Sequence, residues 1–318
     1  MAEELHVVRN QKDTVFRMLF REKKELLELY NALNNSAYHS TKDLIIFTLE
    51  NAIYMNFKND ISFLLDSELN LYEHQASYNP NMPLRDLVYI AKQLEKYMRD
   101  ESIYSSTLVK IPMPRFVVFY NGTDRQPEKQ ILRLSDAFEK ETAEPELELK
   151  VLMLNINFGH NQELMDKCRT LKEYSQYVDR VRKYARVMRI EEAVERAVTE
   201  CIREGILADF LSSQRAEVIA VSIFEYNEEV EMRKIRESEY KSGKEDGIAC
   251  GEAETIISLI RKKSEKGFGI NEIADILELD VCYAKKVLDL LAENPDKTDM
   301  QVLSLIHISE PTRLRRIS

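Results

Sequence analysis

The chain predicts an α/β fold whose second half is almost entirely helical, and three observations carry that expectation. Ile61-Ser62-Phe63-Leu64-Leu65 is a short apolar run suited to a buried strand. After the turn-forming Asp66-Ser67-Glu68, the stretch from Leu69 to Gln75 alternates with the period of two that a strand requires. A further extended stretch, Arg115 to Gly122, follows a helix opened at Pro83, so strands and helices interleave in the first half. From about residue 160 onward the pattern is helical, and only 8 glycines in 318 residues argue against a large all-β architecture.

Taken in order, residues 11 to about 34 predict a helix with Phe16, Leu19, Phe20, Leu26, Leu27 and Tyr30 as its apolar members and Asp13 as a capping residue. Leu44 to Met55 is rich in β-favouring residues and predicts the strand that precedes the hairpin. Asn79-Pro80-Asn81-Met82-Pro83 is a loop that leads into the helix carrying Arg85 and Tyr89. Ile111-Pro112-Met113-Pro114 predicts an extended approach to the strand at Phe116, because a residue before proline is biased away from helix. Asn121-Gly122 closes that strand with a turn, and Leu147 to Ile156 predicts one more strand.

The second half divides by composition. Residues 1–160 form the predicted core and 161–240 a helical extension packed on it. Residues 241–254 predict a charged linker helix with Gly243, Gly247 and Gly251 on one face. Lys244, Glu245, Asp246 and Glu252 exclude a membrane setting for those glycines. Residues 255–296 predict a helix-turn-helix-like module turning at Glu278-Leu279-Asp280, with Ile273, Ala274, Leu277, Val281, Val287 and Leu288 as its core. Its second helix either offers Tyr283, Lys285 and Lys286 to a DNA groove or serves as a packing or oligomerising unit. Residues 303–318, beginning Leu303-Ser304-Leu305-Ile306-His307, read as the translation of a sequencing adaptor and are left out of the fold reading, with the native C-terminus beyond Val302 open.

The chemistry concentrates in the hairpin. Side chains two apart on a strand share a face, so Glu73 and Gln75 point the same way, and Asp60 at the start of the hairpin lies across from them if the pairing is regular. Two carboxylates and an amide then converge, a set of hard oxygen donors suited to a divalent cation that keeps several waters. Read singly, Asp60 is also a turn residue and Glu73 a solvated strand face. The expectation of burial next to an apolar run favours a partner or a metal. Arg85 and Tyr89, four apart on one helix face, either contact phosphate or pack beside the site.

Asp60, Glu73-His74-Gln75 and the flanking order of helix, acid-bearing strands, helix and strand resemble the PD-(D/E)xK nuclease superfamily. The likeness is to the Asp…Glu-x-Gln variant of bacterial recombination-promoting nucleases and putative transposases, and it covers residues from about 10 to about 250. It implies a restriction-endonuclease-like core with a mixed central sheet flanked by helices. It also implies a metal-dependent endonuclease acting on DNA, with Mg²⁺ or Mn²⁺ on Asp60 and Glu73, completed by a backbone carbonyl near His74, and with Gln75 placing the attacking water. DNA, and room for a second copy of the chain, are the partners it implies; no organic cofactor and no membrane are. The superfamily's usual Lys is Gln75 here, which removes a charge from the site. Its acid on the first helix falls on Glu22 or Glu25, and the sequence does not choose between them. The rival from another class is a factor with the nuclease fold that binds DNA or protein without cleaving it.

Charge and composition set the outer bounds. The chain has 45 basic and 55 acidic residues, net −10. Without residues 303–318 it has 42 against 54, net −12. That acidity opposes the basic footprint expected of a DNA binder; Arg85, Lys92, Lys96, Arg99, Lys110 and Arg115 supply a local positive stretch. No apolar run approaches the roughly 20 residues that cross a bilayer. The N-terminus lacks the basic-then-apolar pattern of an export signal, and Cys168, Cys201, Cys250 and Cys282 have no CxxC spacing. A reducing, cytoplasmic setting is the expectation these features support.

Overall fold

The computed structural model describes residues 14–47, 60–99 and 102–309 and divides into two compact units, Met1–Val230 and Glu231–Ser318. The predicted strand at 44–55 falls mostly outside the described residues; its visible part is β1 (Ile45–Ile46). Asp13 also lies outside them, and Thr14 caps the first helix, accepting from Arg17 N at 3.1 Å. The single helix expected over 11–34 is two, α1 (Val15–Phe20) and α2 (Lys23–Asn34), because the chain breaks at Arg21-Glu22.

The first unit is a mixed α/β domain. β2 (Ile61–Leu65) and β3 (Glu68–Gln75) form the hairpin, joined by Asp66 (φ 49°) and Ser67 (φ 63°). Two consecutive positive φ values make the tight primed turn whose twist matches that of its strands. α3 (Met82–Tyr97) carries the chain to β4 (Met113–Tyr120), parallel to β3, so the extended approach predicted at 111–114 already belongs in part to the strand. β5 (Lys129–Arg133), which sequence reading missed, is antiparallel to β6 (Lys150–Asn155), and β6 is parallel to β4. The sheet order among the described residues is β1-β2-β3-β4-β6-β5.

Alternation then sends side chains to two cores. Phe63, Tyr72, Val117, Phe119 and Leu154 face one layer, made of α1, α2, α4 (Gln162–Lys167), α5 (Arg169–Ala185), α6 (Ile190–Glu204), α7 (Ala208–Ser213) and the first turns of α8 (Arg215–Glu265). Leu69, Leu71, Phe116, Val118 and Met153 face α3, whose buried stripe is Met82, Pro83, Asp86, Tyr89, Ile90 and Gln93. That spacing of three and four is the amphipathic period, except that Asp86 and Gln93 are polar.

The second unit is helical. The predicted linker lies within α8, and a Cβ added at Gly243, Gly247 or Gly251 would meet none of the described residues within 4 Å. α9 (Ile270–Ile276) and α10 (Val281–Glu293) form the predicted helical pair, turning through Glu278 at φ 53°. Ile273, Ala274 and Val287 are buried, and Leu277 and Leu288 pack on their cluster. Val281, expected in the core, is 46% exposed because it is the first residue after the Asp280 cap. Of residues 303–318, read as an adaptor translation, the described ones are 303–309, and they belong to a helix. α11 (Asp299–Ser309) places Leu303 and Ile306 in the same cluster as Ile257 and Ile260. Apolar side chains at helical spacing fill an open groove whatever their origin.

A candidate metal centre at the hairpin and the helix behind it

The register explains how the sequence-predicted residues meet. Ile61 pairs with Tyr72, so the antiparallel ladder sets Asp60 opposite Glu73, and residues directly opposite share a face. Asp60 N donates to Glu73 Oε1 at 3.0 Å, and His74 N donates to Asp60 Oδ2 at 2.8 Å. Each carboxylate thus anchors the other strand's backbone. Glu73 is 3% exposed and Asp60 half-buried.

Electrostatics at this pair are unbalanced. Burial pushes the Glu73 carboxyl well above the usual carboxylate range, and the negative charges of Asp60 and Asp86 push it further. Arg85 and the Asp60 N–H pull the other way. Arg85 Nη2 is 3.9 Å from Glu73 Oε2 and donates to the Tyr89 hydroxyl at 3.1 Å, with its guanidinium 5.8 Å from that ring's centre. Gln75 satisfies both ends of its amide when Oε1 accepts from Arg85 Nη1 at 3.1 Å and Nε2 donates to the Ser77 carbonyl at 3.3 Å. Met82 Sδ lies 2.6 Å from the same amide group.

The structure therefore brings together Asp60, Glu73, Gln75 and Arg85, with Tyr89 beneath them. Tyr89 is 1% exposed, so it supports Arg85 and does not face a ligand. The His74 ring lies on the opposite face, stacked on Phe16 at 4.8 Å, and only its backbone belongs to the pair. Glu22 is exposed and Glu25 half-buried on the α1–α2 corner.

Sequence reasoning missed Asp86. It is 1% exposed, its Oδ1 has no hydrogen-bond partner among the described residues, and burial raises its pKa to about 7 while Arg85 works to lower it. The signal was an acid in the core stripe of an amphipathic helix. The same signal marks the acids on α8, where Val218, Ser222, Glu225 and Glu229 follow helical spacing. Ser222, Glu225 and Glu229 line a cavity of about 50 Å³ together with His74, Asn121, Tyr174 and Arg182. There Tyr174 accepts from Asn121 Nδ2 at 3.1 Å, which leaves its own proton for His74 Nε2, 3.0 Å away. Glu225 accepts from Val15 N at 3.3 Å, and burial raises its pKa to about 8.

Oxygen donors, two facing carboxylates and an orphaned carboxylate oxygen behind them fit a hard divalent ion that retains waters. Among the described residues no group of three or more His, Cys, Asp or Glu side chains is arranged to hold a metal ion, so such an ion would rest on two carboxylates. No helix of the described residues is long and apolar enough to cross a membrane. Comparison with protein-family models, with curated proteins and with solved structures finds no match.

Proposed function

We propose that the chain is a divalent-metal-dependent nuclease acting on DNA, as its resemblance to the Asp…Glu-x-Gln nucleases implies. The observation that carries this reading is the pairing of Asp60 with a buried Glu73 across the hairpin, Glu73 accepting from the Asp60 N–H and Asp60 from the His74 N–H. Burying Glu73 beside the like charges of Asp60 and Asp86 costs free energy that Arg85, 3.9 Å away, offsets only in part, and a divalent cation suits such a site. Mg²⁺ or Mn²⁺ would be held by Asp60 and Glu73, with the main chain near His74 within reach. When bound, it supplies Lewis acidity and a more acidic water.

The chain's own residues do the rest. Arg85, braced by Tyr89 and by the Gln75 amide, presents a partly exposed guanidinium beside the pair, where a phosphate oxygen is the natural counter-ion. Gln75 holds Arg85 in this arrangement and has an amide, not an ammonium, to offer a water. That observation favours the second reading, a nuclease-fold DNA- or protein-binding factor without catalysis.

Supercoiled plasmid incubated with the full chain in Mg²⁺ or Mn²⁺ separates the two. Metal-dependent nicking is expected, and Asp60→Asn and Glu73→Gln are each expected to lower it at least 100-fold while the far-ultraviolet dichroism stays unchanged. Nicking at the wild-type rate in both variants removes the site. No nicking by folded wild-type protein in either metal favours the binding factor.

A further inference from the structure

Asp86 sits behind the candidate pair, and two contacts locate it. At one end of α3, Met82 touches the Gln75 amide. At the other, Gln93 donates to Ser62, which pairs with Leu71. The helix therefore runs back along β3 from Gln75 toward Leu71. Four helical residues from Met82 to Asp86 advance about 6 Å, and two strand residues from Gln75 to Glu73 advance about 6.6 Å. Asp86, on the buried stripe that faces the sheet, is thereby set over Glu73.

Leu69, Leu71, Tyr89 and Ile90 belong to one buried cluster, and Asp86 Oδ1 finds no partner there. An orphaned buried carboxylate oxygen destabilises a fold, and an apolar side chain of similar size would pack better. Asp60 and Asp86 both act on Glu73 as like charges, and Arg85, 3.9 Å from Glu73, opposes them. A divalent cation adds to that opposition.

We propose that Asp86 is a positioning residue of the metal centre. It does not ligate the ion, since the described acids form no three-member ligand group. It acts at one remove, by adding negative charge behind Glu73 and by offering Oδ1 to an ion-bound water. Outer partners of this kind typically change metal affinity roughly 10- to 100-fold. This rests on the metal-centre reading above, so the test reports on the two separately.

The test is Mn²⁺ titration by calorimetry of the full chain and of Asp86→Asn, Asp86→Leu and Glu73→Gln, with thermal midpoints measured without metal. Asp86→Asn keeps the shape and Asp86→Leu the branching and heavy-atom count, and both remove the charge. The expected result is Mn²⁺ binding that is lost in Glu73→Gln and weakened roughly 10- to 100-fold in both Asp86 variants. The metal-free midpoint of Asp86→Leu is expected at or above that of the wild type. Affinity and stability moving in opposite directions is what a merely structural acid would not produce. Wild-type affinity in both Asp86 variants, with binding still lost in Glu73→Gln, overturns the role of Asp86 alone. A lower metal-free midpoint in both Asp86 variants also overturns it, since the acid would then be a structural element. Absence of Mn²⁺ binding by the wild type, or unchanged binding by Glu73→Gln, overturns the metal centre and this inference with it.

Discussion

At the scale of the residue, His74 shows how one strand position serves two faces. Its N–H belongs to the acid pair, while its ring is held between Phe16 and Tyr174 on the other side of the sheet. Burial, and then the charge of Arg182, lower its pKa from 6.5 to about 3. The folded state therefore refuses a proton that the unfolded chain accepts below pH 6.5. The stabilisation this represents is full above pH 6.5 and is lost as pH falls toward 3. His74→Gln is expected to flatten that loss, so denaturant midpoints of variant and wild type should converge between pH 6.5 and 4. Parallel curves through that interval would show that the ring does not titrate as buried. The alternation that sends His74 away from Glu73 was legible in the sequence; the partners that hold it were not, because Phe16 and Tyr174 lie 58 and 100 residues away along the chain.

At the scale of the element, the hairpin was readable to within a residue, Glu68 belonging to the strand and not to the turn, because an apolar run, a polar turn and an alternating strand each leave a local mark. The helix behind it was readable as a helix, yet its functional content was not, since Asp86 looks like any surface acid until its face is known. β5 escaped because its five residues, Lys129 to Arg133, alternate only weakly and are held by pairing to β6. At the far end of the chain, α11 closes the second cluster with Leu303 and Ile306 at 3% and 5% exposure. Leu303→Ala is expected to destabilise that unit by roughly 2–5 kcal/mol, measured as loss of its unfolding transition in the full chain, with no change in the first unit's transition. An unchanged second transition would mean that α11 contributes nothing to the cluster. Assays of cleavage therefore belong on the full chain, not on one cut after Val302.

At the scale of the molecule, burial of acids sets the pH response. Asp86 and Glu225 have pKa values raised to about 7 and about 8, each mainly by burial. A raised folded-state pKa means that the folded protein holds protons the unfolded chain releases. That contribution is present below about pH 4, where both states are protonated, and is lost as pH rises through 7 and 8. The thermal midpoint of the metal-free protein is expected to fall between pH 6.5 and 8.5, and Mn²⁺ is expected to recover part of the fall by supplying counter-charge. A midpoint that rises over that interval would contradict the burial of these acids. The net charge of −10 points the same way, because self-repulsion of an acidic chain grows as its last protons leave.

The sequence by itself determined the α/β class, the β2–β3 hairpin, the shared face of Glu73 and Gln75 and the helical second half, since all of these follow from periods and turn chemistry within a few residues. Only the tertiary structure decided that Arg85 turns inward on Glu73, that Asp86 lies over the pair and that Glu225 and Glu229 close a cavity with His74 on the other face. The reason is physical: a local pattern says which face of an element a side chain occupies, but the dielectric and the partners it meets are set by whichever distant elements pack against that face.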